Sequence, residues 1–299
     1  MSSLTKAASI FSVLVIVAGI NAEPWKVDLN TNITTAVNSY SDSWVGGEAG
    51  SFTWASQFLG VAEKQFSKTL NSKSTLKLQF GQTKVQDKTS KEWATPQKSS
   101  DLIDFEELLR FTVGAWADPF ISARLVSQFR DESDSLLVRY FNPADITEAV
   151  GMSRTLIKNL NIDWSMRLGG AARQLVERHK LDPETGERNN YDITNDGGAE
   201  FNIDLKAENA KKWLSYLGSL RVYEALVSSK AEKLEGTDEE NDWRYPHVKW
   251  ENSLSVTFAK YLMLNMSLSA FYDRDISKNF RIKEIFSAGF TYIYSNSSK

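Results

Sequence analysis

Residues 247–294 read HVKWENSLSVTFAKYLMLNMSLSAFYDRDISKNFRIKEIFSAGFTYIY. Val248, Trp250, Leu254, Val256 and Phe258 share one parity; Lys249, Glu251, Ser253, Ser255 and Thr257 share the other. Leu262, Leu264, Met266, Leu268, Ala270 and Tyr272 then alternate with Asn265, Ser267 and Ser269, and Phe286, Ala288, Phe290, Tyr292 and Tyr294 share a face of the last segment. Successive strand residues point to opposite faces. Three strands with one apolar and one polar face match a transmembrane β-barrel, apolar toward lipid and polar toward the lumen. A soluble sandwich can show the same alternation in a single strand, so the rest of the chain must decide.

Outward from this stretch the alternation continues. It predicts strands at 25–37, 51–63, 75–80, 103–115, 121–130, 144–156, 164–173, 200–206 and 214–226, twelve in all with the final three. The sixth has the weakest pattern, with Glu148 on the parity of Ile146, Val150 and Met152. Short links near Ala117, Lys158, Lys211 and Lys260 alternate with polar loops at 38–50, 86–100, 131–143, 179–198 and 228–246. Transmembrane barrels alternate short periplasmic turns with longer extracellular loops. Every backbone group in a spanning sheet must be paired, so the last strand is expected to meet the first. The reading is all-β: a closed, antiparallel, up-and-down transmembrane β-barrel of twelve strands.

Aromatics fall at the predicted strand ends. Trp25, Trp116, Phe120, Trp164, Trp213, Tyr261 and Tyr294 mark the short-turn side, and Tyr40, Trp44, Phe141, Tyr245 and Tyr272 the long-loop side. Two such girdles are expected at the lipid interfaces. At the N-terminus, Lys6 precedes an apolar run at 10–20 and then Asn21-Ala22. This predicts a signal peptide over 1–22 and a barrel domain over 23–299, located in the outer membrane. An N-terminal anchor helix is the alternative, though the run is short for a span. The chain has no Cys, two His, nine Trp and a net charge of −3. Disulfides, thiol nucleophiles and Cys-bound zinc are excluded, and the charge gives no case for nucleic acid.

The polar parity is rich in charge. The predicted lumen-lining set is Lys26, Asp28, Lys77, Asp104, Glu106, Arg110, Arg124, Arg130, Arg167, Arg173, Glu200, Asp204, Lys206, Arg221, Lys249 and Glu251. Both signs are interspersed, and such groups are costly in lipid. Twelve strands lie between the eight that side chains fill and the sixteen that leave a wide channel. A narrow pore follows, with Arg and Lys together in excess over acids and a mild preference for anions. His179 and His247 have no patterned Ser partner, and no phosphate loop, dinucleotide fingerprint or zinc-protease pair is present, so no catalytic residue, cofactor or metal is assigned. The acidic loop residues Asp182, Glu184, Asp192 and Asp196, and the run 238–242, read as solvated loops or as cation bridges to lipid headgroups.

Several blocks resemble the domain-of-unknown-function 3078 family of outer-membrane β-barrel proteins. They are 25–32 with Ser43-Trp44-Val45-Gly46-Gly47 and 51–54, the segment 141–151, and 248–254 with 260–262, 271–276 and 283–290. The resemblance implies a barrel in the outer membrane and no assigned reaction or substrate, so no site residue follows from it; the stretch 182–198 has no match. The leading function is a passive, porin-like channel. The alternative is a closed lumen whose extracellular loops bind a surface partner or polysaccharide, with a barrel-embedded enzyme third. Outer-membrane lipid is one expected partner. Barrel-insertion machinery is another, since an aromatic-ended last strand resembles the signal it reads, although 295–299 follow Tyr294.

Overall fold

The computed structural model describes residues 24–41, 49–134, 136–181 and 186–296. The expected signal peptide, Trp44 with its Ser-Trp-Val-Gly-Gly block, and Asp182 and Glu184 lie outside the described residues. Twelve strands form one closed sheet: β1 (Lys26–Asn38), β2 (Ser51–Gln65), β3 (Leu70–Val85), β4 (Gln97–Phe111), β5 (Asp118–Ser127), β6 (Ala144–Lys158), β7 (Ile162–Leu181), β8 (Arg188–Glu208), β9 (Leu214–Ser228), β10 (His247–Phe258), β11 (Leu262–Asp273) and β12 (Ser277–Ser295). Each strand pairs antiparallel with its sequence neighbours, and β12 pairs with β1.

Closure is built at a glycine. Gly289 sits opposite Thr34, and a Cβ there would lie 2.2 Å from the carbonyl oxygen of Ile33. Only a residue without a side chain lets the two backbones meet so closely. At the short-turn end of the same seam, the Asn296 side chain accepts from the Val27 amide at 2.6 Å and donates to the Trp25 carbonyl at 3.0 Å. The chain therefore runs on past Tyr294 into a residue that fastens β1.

Connections at one end of the barrel span 66–69, 112–117, 159–161, 209–213 and 259–261. Those at the other end span 39–50, 86–96, 128–143, 182–187, 229–246 and 274–276. The expected loop over 179–198 is corrected: β7 and β8 continue as a paired hairpin to Leu181 and Arg188. Past Ala172 the outward face mixes Gln174, Arg178, Asn195 and Asn189 with Val176, Ile193 and Tyr191, so pairing persists where the apolar pattern is broken. A helical turn α1 (Ala231–Leu234) lies in the 229–246 connection.

The faces are fixed by contacts that cross the barrel. Glu106 on β4 meets Arg167 on β7 and Arg221 on β9, so this parity points inward. Carried through the register, the opposite parity places Phe286, Phe290, Leu264, Met266, Leu254, Leu168, Val150 and Ile121 on the outside. These side chains are exposed: Phe286 is 76% and Phe290 65% accessible. The buried apolar residues are few, and one small cluster (Phe120, Ala149, Ala171, with Leu108 and Tyr223 against it) lies inside the barrel.

Candidate functional site

The inward face carries a belt of paired charges at mid-height. Asp104 is held bidentately by Arg124, at 2.8 Å to Nε and 2.6 Å to Nη2. Two parallel charge-assisted bonds fix both groups in one geometry. Glu106 accepts from Arg167 Nη2 at 2.8 Å and from Arg221 Nη2 at 3.2 Å, while Asp204 lies 3.5 Å from Arg167 and 3.7 Å from Arg221. Lys249 and Glu251 pair at 3.2 Å on β10. Lys77 stands beside Asp104 in register, and Glu200 accepts from the Asn202 amide at 2.9 Å.

The belt narrows the barrel. Twelve strands spaced by ~4.8 Å and tilted ~40° enclose a round section about 24 Å across. Glu106 and Arg221 are five strands apart, nearly opposite, yet their side chains meet. A bridge of that composition spans at most about 15 Å between backbones. The section is therefore flattened between β4 and β9, and the Phe120 cluster fills the same side. Phe120 stands opposite Gly151, which stands opposite Gly169; a Cβ on Gly151 would lie 2.4 Å from the Gly169 Cα. The two glycines let the β6 and β7 backbones approach closely, and the Arg167 guanidinium lies over the Phe120 ring at 5.6 Å.

A second layer lies toward the long-loop end. Arg173 donates to Asp145 at 2.8–3.1 Å, lies 3.9 Å from Asp196 and comes within 3.4 Å of His247 Nδ1. His247 in turn sits 3.2 Å from Asp273. The Tyr-Asp-Arg-Asp block thereby acquires a structural role. Asp273 holds His247, Arg274 pairs with Asp242 at 3.1 Å, and Asp275 binds Lys230 at 2.7 Å, which ties the 229–246 connection to the last hairpin. The ligand atoms of His247, Asp273 and Asp275 lie within 4.8 Å of one another. Lys230 and Arg173 already supply positive charge there.

The other half of the lumen wall differs. Inward residues from β10 through β1 to β3 include Ser253, Ser255, Asn265, Ser267, Ser269, Ser287, Thr291, Asn30, Asn32, Gln57, Thr75 and Gln79. Asn265 donates to Ser253 at 2.7 Å and to Ser255 at 2.9 Å. Two lysines cross this sector near its ends: Lys283 reaches the Ser99 carbonyl at 3.2 Å, and Lys158 lies 3.4 Å from Glu63. The lumen thus has a bridged, charged side and, at mid-height between β11 and β2, a side where hydroxyls and amides predominate.

Most sequence-derived positions lie where the parity puts them. Lys26 and Asp28 face inward at the short-turn end of β1, Arg110 donates to Thr155 at 2.8 Å, and Lys206 pairs with Glu208 at 3.1 Å. Two positions are corrected. Arg130 lies beyond the end of β5 and pairs with Glu132 at 2.9 Å in the loop. β5 ends early because the Asp101 carboxylate takes the Phe129 and Arg130 amides, at 2.7 and 2.9 Å, in place of a ladder partner. Phe120 is not a girdle residue; it shares the parity of Ser122 and Arg124 and is wholly buried inside. Trp25, Trp164, Trp213, Tyr261, Tyr294 and the Trp116 turn remain exposed at the short-turn end. At the long-loop end Tyr40, Phe141 and Tyr245 are exposed, and Tyr272 stacks on Phe280 at 4.9 Å. Sequence parity missed inward acids toward the strand ends, among them Glu63, Asp145, Asp163, Asp196, Glu208 and Asp273, as well as the inward Lys73 and Lys283. With them, the anion preference drawn from a cation excess loses its basis. Within the belt, Lys77, Arg124, Arg167, Arg221 and Lys249 are matched by Asp104, Glu106, Glu200, Asp204 and Glu251.

No family model matches the chain, and no curated protein matches it. Among solved structures it is similar to the COG4313 outer membrane channel from Pseudomonas putida F1, with 14% identity, a TM-score of 0.41, and 94% of this chain and 99% of that one covered. It is also similar to the translocator domain of the autotransporter NalP from Neisseria meningitidis, with 11% identity, a TM-score of 0.37, and coverage of 97% and 93%. The CymD monoaromatic hydrocarbon channel follows at 9% identity and a TM-score of 0.33, with 91% and 88% covered. The twelve-stranded closure described above rests on this chain's own pairing.

Proposed function

We propose that this protein spans the outer membrane as a narrow passive channel, its passage running along the neutral wall from β11 to β2. The observation that carries the reading is the two-sided lumen. Ion pairs and Phe120 fill the β4–β9 side, while Ser, Thr, Asn and Gln line the other. Such a wall suits small polar solutes of low charge, because hydroxyls and amides replace water contacts at little cost. The membrane reading is supported by the exposed apolar outer face, which far exceeds the patches that soluble monomers carry. Rings of Trp and Tyr border that face at the strand ends. Export by a signal peptide over 1–22, kinship with the domain-of-unknown-function 3078 family and recognition of β12 by insertion machinery belong to the same proposal.

The belt also favours a second reading, a closed lumen with the long-loop end acting as a binding surface. Planar-bilayer recording separates the two. The channel reading predicts small, steady unitary currents from the reconstituted full chain; inserted protein that passes no ions would leave the closed-lumen reading.

A further inference from the structure

We propose that the wall opens sideways between β1 and β12, in the half nearer the long loops. The opening admits amphipathic monocarboxylates, one carboxylate on a short apolar body, from the lipid into the passage. This rests on the channel reading above and adds a side entrance to it. Among the described residues the seam runs only from Asp28–Ser295 to Thr34–Gly289. Beyond it β1 keeps its other neighbour, pairing Thr35 with Trp54 and Asn38 with Ser51. β12 likewise keeps β11, pairing Ala288 with Leu264 and Ser277 with Asp273. Next in register Thr35 would meet Ala288 and Asn38 would meet Ile285, yet the seam has already parted. Residues 278–284 of β12 are exposed on both faces, whereas 285–291 alternate. Lys283 reaches the Ser99 carbonyl on β4 at 3.2 Å, which takes this part of β12 over the lumen instead of along β1.

A bare strand edge is not tolerated against lipid, where its amides and carbonyls find no partner, but it is tolerated where it lines a water-filled cavity. The parted edges at 35–38 and 285–288 therefore mark a place where lumen water meets the lipid boundary. Outside, Ile33, Val37, Ile282 and Phe286 flank the gap and are exposed. Inside, Arg281 and Lys283 stand on the inward face of β12, opposite Phe271 and Ser269. Arg281 lies over the Phe271 ring at 5.9 Å, and among the described residues neither cation meets a carboxylate. The acids around them are committed: Glu251 to Lys249, Asp273 to His247 and Asp275 to Lys230. Glu284 faces outward beside Leu268. An apolar approach that leads to two cations selects a molecule with an apolar body and one anionic head. A carboxylate brings full charge to the Lys283 ammonium and so replaces the neutral Ser99 carbonyl.

The chain has no cysteine, so introduced thiols report the seam directly. In phospholipid vesicles, mild oxidation should link Thr31→Cys to Tyr292→Cys, which are partners in the seam. The same treatment should leave Thr35→Cys and Ala288→Cys unlinked, since a disulfide needs Cα atoms within about 7 Å. In bilayer recordings of the full chain at neutral pH, octanoate should interrupt the KCl current at concentrations where acetate does not. Each cation ~5 Å from a carboxylate is worth about fourfold in bulk water, so Arg281→Gln with Lys283→Gln should raise the octanoate concentration for half-block about 15-fold. Both side chains are exposed, and heat-shifted gel mobility checks that this variant folds. Ready linkage of Thr35→Cys to Ala288→Cys, no block by octanoate, equal block by acetate, or a half-block concentration moved less than threefold would each overturn the side entrance alone. Inserted protein that passes no current overturns the channel reading and this inference with it.

Discussion

Replacing Glu106 by Gln should convert the lumen from balanced to anion-selective. Glu106 is shared by Arg167 and Arg221, and the belt around it carries five cations and five acids. The substitution keeps the shape and removes one negative charge. An ion passing ~5 Å away feels that charge as ~0.8 kcal/mol in bulk water and ~3 kcal/mol at an effective dielectric of 20. The change acts with opposite sign on anions and cations, so the bulk-water figure alone should raise the anion-to-cation permeability ratio by about 15-fold. Folding should weaken as well, because the Arg167 side chain is 4% accessible and would keep only Asp204 at 3.5 Å. Stripping a buried pair of one partner costs about 3–5 kcal/mol, and Asp204 puts this case at the low end. The assay is the reversal potential across a bilayer under a KCl gradient, on protein first checked for heat-shifted gel mobility. A ratio within twofold of the parent, in protein that inserts normally, would refute the belt as the charge that ions meet.

Three further outcomes follow from the same geometry. Phe120→Ala should cost about 3–5 kcal/mol in denaturant unfolding and raise unitary conductance, since it empties the buried side of the lumen; unchanged conductance would place the ring away from the constriction. Gly289→Val puts side-chain atoms into the Ile33 carbonyl and should abolish the heat-modifiable band, whereas Ala288→Val beside it, outward-facing, should not. The Arg188 guanidinium holds the Asp134 carboxyl to about 2, which docks the 128–143 loop onto the β7–β8 hairpin. Because that value is lowered on folding, the contact is present above the ordinary carboxylate range and is lost as pH falls through about 2. Hydrogen exchange over 131–139, corrected for intrinsic rates, should hold from pH 7 to 4 and rise near pH 2. A rise already at pH 4 would contradict the pairing.

The barrel was legible because each wall strand faces two different media, and that difference is written in every second residue. Closure, strand number and the belt residues all follow from it. The misreadings occur where the two-media rule stops acting. β7 and β8 run on past Ala172 with Gln174, Arg178, Asn195 and Asn189 interrupting the outward Val176, Ile193 and Tyr191, so the alternation is too broken to mark a strand. Arg130 keeps the right parity, but the Asp101 side chain ends the strand before it. Phe120 shows the reverse case: its parity points inward, while its place at a turn matches a girdle, and the small Ala149 and Ala171 beside it form the inner cluster that buries it. Glu107 breaks the apolar parity of β4 between Phe105 and Leu109, and Ser72 and Ser74 on the neighbouring strand answer its carboxylate.

The two-sided lumen can be probed most directly with single thiols in this cysteine-free chain. Ser267→Cys places a thiol inward on the neutral wall of β11, and Leu264→Cys places one outward on the same strand. A charged methanethiosulfonate reagent added during bilayer recording should cut the current through Ser267→Cys channels and leave Leu264→Cys channels unaffected. Current through Ser267→Cys that is insensitive to the reagent, with the thiol shown to be unmodified, would contradict a passage along the β11–β2 wall.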